Sequence, residues 1–172
     1  MKTQGTISDS QQLRHNQPHR VALVALGNSL RADDGVCGQL LAMLPAGLRD
    51  QVCLLDAGCY ARDIPAFVAG HRTGIVIDAI SAANTSEMVI VDLGDVATIE
   101  PDCTHALSWL DELLLAKTKV ELPSRLLFVG IPVCDVGWRI GLSDEIKERL
   151  PELVLRLQQI IEMELAACTK QP

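Results

Sequence analysis

Two acidic residues, Asp33 and Asp34, stand side by side in Leu26-Gly27-Asn28-Ser29-Leu30-Arg31-Ala32-Asp33-Asp34-Gly35, between a continuous apolar stretch and a segment of helical spacing. A third acid, Asp78, interrupts the apolar run Ile75-Val76-Ile77-Asp78-Ala79-Ile80, and His105 follows Thr104 at the start of a helical pattern. A carboxylate among buried strand residues is costly unless paired or ligated, which makes Asp78 the least ordinary of these positions. If Asp34, Asp78 and His105 converge, they supply two oxygens and one nitrogen with coordination positions left open. Such a donor set suits a borderline divalent ion such as zinc or nickel. Each residue also has an ordinary structural reading. Asp33 or Asp34 can cap a helix and favour its dipole, Asp78 can cap a turn at a strand end, and His105 can fill the first turn of a helix capped by Thr104.

Other chemistries lack their residues. There is no G-x-S-x-G nucleophile elbow and no H-E-x-x-H pair. No G-x-G-x-x-G follows the first apolar run, no phosphate-binding Gly-Lys-Ser/Thr is present, and an acidic loop repels phosphates, so a nucleotide-binding module is a weak alternative. Six cysteines (Cys37, Cys53, Cys59, Cys103, Cys134, Cys168) form no C-x-x-C pair, which excludes a zinc ribbon or a thioredoxin-like redox site. Cys53 and Cys134 fall in apolar strand patterns and read as small core residues. Cys103 and His105 are too close to a helix start to share a face as a nucleophile and its base.

The elements that must position these groups alternate between strand and helix. Val21 to Leu26 reads as a strand buried on both faces, and Val36, Leu40, Leu41 and Leu44 mark a following helix. Val52 to Leu55 is a short strand ending at Asp56-Ala57-Gly58, and Ala61 to Ala69 suits a short helix containing Pro65. Strand patterns recur at 74–80, 88–93 and 126–133. Ala106, Leu107, Leu110, Leu113 and Leu114 form an amphipathic stripe with Trp109 on or beside it. Ile146, Leu150, Leu153, Leu157, Ile160 and Leu165 give a long final helix capped by Ser143, with Pro151 inside it. Alternation with short connections predicts an α/β fold, a three-layer α/β/α sandwich around a twisted, mostly parallel sheet of about five strands. The runs at 74–80 and 88–93 are too close for a crossover and predict a hairpin, hence a mixed sheet.

The 172 residues suit one domain. Residues 1–20, rich in Gln, Ser, Asn and His, read as a poorly ordered extension with His15 and His19 incidental to it. The domain spans 21–167, and 168–172 form a tail. A net charge of −7 and a pI near 5.0 argue against a nucleic-acid partner. No apolar run is long enough for membrane insertion, and no apolar signal segment opens the chain. A cytoplasmic setting with reduced thiols is expected.

Taken in order, these motifs resemble those of the hydrogenase maturation endopeptidases, which process the large subunit of nickel–iron hydrogenases. Gly27-Asn28 through Asp33-Asp34-Gly35 resembles the opening motif of that family, Val76-Ile77-Asp78-Ala79-Ile80 the second, and Thr104-His105-Ala106-Leu107 the third. Phe128-Val129-Gly130-Ile131-Pro132 and Ile140-Gly141-Leu142-Ser143 are similar to its closing strand and the start of its final helix. The resemblance covers about residues 21–167. It departs at Ala25 and Cys37, where the family often has glycine, and at Asp56-Ala57-Gly58-Cys59, where Asp-Gly-Gly-Thr is usual. The resemblance implies that Asp34, Asp78 and His105 are metal ligands and that Asp33 is structural. It implies an endopeptidase, aspartate-type or metal-assisted, that removes the C-terminal extension of a nickel-loaded large-subunit precursor. The nickel then belongs to the substrate, the site of the isolated protein being empty or holding a surrogate divalent metal. Asp34 or Asp78 would accept the proton of the attacking water. A non-catalytic nickel-sensing chaperone or checkpoint using the same three ligands is the alternative.

Overall fold

The computed structural model describes residues 20–81, 85–95 and 108–169. Strand β1 (Val21–Leu26) is buried throughout, because it has parallel neighbours on both sides and helices over both faces. Its side chains alternate as strand geometry requires. Val21, Leu23 and Ala25 enter the core on one face of the sheet, and Ala22, Val24 and Leu26 enter the core on the other. Helix α1 (Val36–Met43) follows after a 3₁₀ turn at Ala32–Gly35, then α2 (Ala46–Arg49), strand β2 (Cys53–Gly58) and, after a second 3₁₀ turn, α3 (Ile64–Val68). Pro65 is accommodated in the first turn of α3, where its missing N–H costs nothing. Next come β3 (Thr73–Ser81), β4 (Val89–Gly94), α4 (Ser108–Ala116), β5 (Arg125–Val133) and α5 (Asp144–Thr169).

The sheet runs β2-β1-β3-β5-β4, parallel except for β4. Helices α1 and α5 cover one face, contributing Val36, Leu40, Ile146, Leu157 and Ile161 to its core. Helices α3 and α4 cover the other with Ile64, Val68, Trp109, Leu110 and Leu113. This is the expected three-layer α/β/α sandwich with a five-stranded mixed sheet.

One expectation is corrected. β3 and β4 do not form a hairpin, because β5 lies between them, parallel to β3 and antiparallel to β4. The reason is burial. Eight of the nine residues of β5 are buried, so it takes the inner position and pairs with β3 along its whole length. β4 exposes Ile90, Val91 and Asp92 and stays at the edge. A second correction concerns Cys134, which lies one residue beyond β5 and is exposed. Cys53 is half-buried against the second core. The final helix continues through Pro151 to Thr169 and buries Cys168. Residues 1–19, Cys103, Thr104, His105, Ala106 and Leu107 lie outside the described residues.

Candidate active site

Because β1, β2, β3 and β5 run parallel, their carboxyl ends share one rim, the edge of an open α/β sheet where ligands bind. The β1–α1 turn begins with Gly27, whose N–H donates to the Gly58 carbonyl at the end of β2 (3.1 Å). Gly27 has φ +136°, and a Cβ there would lie 2.0 Å from the carbonyl oxygen of Asp34. Only glycine lets the turn fold back this tightly. Ala32, at φ +46°, is the positive-φ residue other than glycine among the described residues, and it leads directly into the acidic pair.

The two acids of that pair do different work. Asp33 is 1% exposed. Its Oδ1 accepts the Ser143 N–H (2.6 Å) and its Oδ2 accepts the Ser143 hydroxyl (2.9 Å). Ser143 in turn accepts the Ile146 N–H at Oγ (3.2 Å), the helix cap expected of it. Asp33 therefore ties the β1–α1 turn to the start of α5. Asp34 is half-buried and lines a cleft of about 340 Å³ with Asn28, Ser29, Asp56, Cys59 and Tyr60.

Asp78 sits near the carboxyl end of β3, half-buried. Burial first, and the charge of Asp34 second, push its carboxyl up from 3.8 to about 6, against a hydrogen bond from the Ala79 backbone that lowers it. The mutual repulsion places the two carboxylates in one electrostatic neighbourhood. Cys37, on α1, feels the same field. Burial pushes its thiol well up, and Asp78, Asp34 and Asp56 add to the effect in that order. A buried thiol held protonated is no nucleophile.

Asp56 was not singled out in the sequence as a site residue. It lies near the carboxyl end of β2 on the same rim, its Oδ1 accepting the Gly58 N–H (3.2 Å). Gly38 of α1 makes room for it, since a Cβ there would lie 2.8 Å from Asp56 Oδ2. The signal available was its position, an acid near the end of a strand parallel to the one that precedes Asp34.

The structure thus brings Asp34 and Asp78 together, adds Asp56, and assigns Asp33 to positioning. The third expected ligand, His105, lies outside the described residues. His71 cannot replace it, because it precedes β3 at the opposite edge, stacked on Phe67 with Nδ1 3.2 Å from the Val68 and Ala69 carbonyls. Among the described residues no three His, Cys, Asp or Glu side chains form a metal-holding group. What is present is Asp34 in a rim cleft with Asp78 near enough for the two charges to interact, carboxylates able to bind a cation or to accept a proton.

An α/β/α sandwich with acids on its carboxyl rim defines a class of small, sheet-centred proteins with an acidic rim site. Comparison with known proteins narrows it. The family model for hydrogenase maturation protease (HycI) matches residues 42–160, and the chain belongs to that family of peptidases. The match begins after Asp34 and includes Asp56, Asp78 and His105. The fold is similar to the hydrogenase maturating endopeptidase HybD from E. coli, at 18% identity and a TM-score of 0.63, over 84% of this chain and 93% of that one. It is also similar to the [NiFe] hydrogenase maturation protease HybD from Thermococcus kodakarensis, at 20% identity and a TM-score of 0.61, over 83% and 99% of the two chains. The endopeptidase HycI from Escherichia coli matches at 24% identity and a TM-score of 0.58, over 81% and 89%. No curated protein matches the sequence.

Proposed function

We propose that this chain removes the C-terminal extension of a nickel-loaded large-subunit precursor of a nickel–iron hydrogenase. The observation that carries this reading is the position of Asp34 on the rim cleft, with Asp78 near the carboxyl end of β3 close enough to feel its charge. The nickel is part of the substrate, and Asp34, Asp78 and His105 engage it. Its charge offsets the repulsion between the two carboxylates, which is the cost of holding them together without it. Water adds across the scissile peptide bond, giving a carboxylate on the mature subunit and an amine on the released peptide. The metal polarises the carbonyl or the water, and Asp34 or Asp78 takes the proton. A cytoplasmic setting, in which thiols stay reduced, suits the described cysteines, all of them free.

The test is incubation with nickel-loaded and nickel-free precursor, read by mass spectrometry for loss of a C-terminal peptide. Loss from the loaded precursor alone is expected. Asp34→Ala, Asp78→Ala and His105→Ala should each slow it at least about a hundredfold, with circular dichroism unchanged. Failure to cleave the loaded precursor overturns the peptidase reading, and tight binding without cleavage favours a nickel-sensing checkpoint.

A further inference from the structure

The most exposed large hydrophobic side chains among the described residues are Trp138 and Ile140, at 80% and 81%. Both lie in the β5–α5 loop, on the same rim as the acids. The loop is not loose. The Arg139 N–H donates to the Leu30 carbonyl (3.0 Å), and the Ala32 N–H donates to the Arg139 carbonyl (2.7 Å). Arg31 Nε donates to the Val136 carbonyl (3.1 Å), and the Arg31 guanidinium stands 5.7 Å from the centre of the Trp138 ring. Asp135 accepts the Gly137 N–H and the Arg139 guanidinium within the loop. Two loops are thereby joined into one ordered shelf, on which Leu30 and Val136 are exposed as well. The shelf leads straight into Asp33 and Asp34.

An ordered apolar shelf built around a tryptophan, left in water, marks a surface for a polypeptide partner. Charge says which surface of the partner it takes. The adjoining cleft is lined by Asp34 and Asp56, and Asp78 on the same rim feels the charge of Asp34. A complementary partner must therefore present a cationic centre with an apolar strip beside it. We propose that Leu30, Val136, Trp138 and Ile140 form the docking surface for the apolar face of the precursor that flanks its metal centre. This rests on the reading above: the acids meet the cation while the shelf seats the chain around it.

The test uses the full chain, nickel-loaded precursor, a double variant Trp138→Ala/Ile140→Ala, the conservative Trp138→Phe, and Met163→Ala, an exposed apolar residue on α5, as control. Both Trp138 and Ile140 are solvent-exposed, so the melting temperature should not move. The double variant should raise KM and the precursor dissociation constant at least about tenfold, as loss of an interface anchor does, with kcat within about twofold. Trp138→Phe should recover most of the affinity, and Met163→Ala should change nothing. Unchanged KM and binding in the double variant, while the wild type cleaves, overturns the shelf and leaves the peptidase reading standing. A wild type that neither binds nor cleaves the precursor overturns both. Sedimentation showing that the shelf instead holds a second copy of this chain overturns it too.

Discussion

Asp78 is where the demands of folding and chemistry meet in a single side chain. Its carboxyl titrates near 6 in the folded chain and at about the ordinary 3.8 when unfolded. Between those values the folded state holds the extra proton. Its favourable contribution is therefore complete below about pH 4 and is lost as the pH rises through 6. At pH 7 the ionised group, facing Asp34 and Cys37, works against folding. Asp78→Asn should accordingly stabilise the metal-free protein at pH 7 by on the order of 2 kcal/mol. The advantage should shrink toward zero near pH 4, read from urea denaturation of both proteins at each pH. A constant difference across that range would show that the charge is not what burial penalises. Asp78 was legible in the sequence because an acid inside an apolar strand has no cheap explanation. Asp56 was not, because an acid at a strand end has many, and only the fold brings the end of β2 beside the end of β1.

At the level of elements, the site is held by connections more than by strands. The β1–α1 turn is fastened to β2 through Gly27 and Gly58, and to the start of α5 through Asp33 and Ser143. Two hydrogen bonds to a buried carboxylate are worth more than their neutral counterparts, and removing the acceptor leaves both donors of Ser143 wanting. Asp33→Ala should cost about 3 kcal/mol and speed amide exchange at Ile146, whose N–H rests on the Ser143 hydroxyl. A loss below about 0.5 kcal/mol would mean that water replaces the carboxylate and that the fastening is not needed. Helix α5 and its Ser143 cap were readable from the spacing of Ile146, Leu153, Leu157 and Ile160. Their link to Asp33 was not, since nothing local ties residues 110 positions apart. The order of β3, β5 and β4 was misread for a related reason. Sequence proximity suggested a hairpin, whereas burial on both faces decides which strand lies inside.

Across the whole molecule the sheet has two unlike edges. At the carboxyl rim no ion pair joins Asp34, Asp56 or Asp78 among the described residues, and the Asp135–Arg139 pair lies off in the β5–α5 loop, while the amino rim carries a matched ion network. There Arg125 grips Glu164 in two-point fashion (2.9 and 3.1 Å) and also reaches Asp92 (2.7 Å), with Thr73 donating to Glu164 and Arg20 to the Cys168 carbonyl. The network fastens the end of α5 to β3, β4 and β5. Its partners are unequal, because the Glu164 side chain is 7% exposed and that of Arg125 is 43%. Removing the arginine strands a charge in the interior, whereas removing the glutamate leaves an arginine that still has Asp92 and water. Arg125→Met should thus cost about 3 kcal/mol, and Glu164→Met about 1 kcal/mol or less, although both delete the same ion pair. Denaturant unfolding distinguishes them, and equal losses would show that the pair acts through packing alone. The rim that carries the acids lies at the other end of the same strands. Both variants should therefore process nickel-loaded precursor at the wild-type kcat at a temperature where they remain folded. A fall in kcat in a folded variant would mean that strain at one edge is transmitted along β3 and β5 to Asp78.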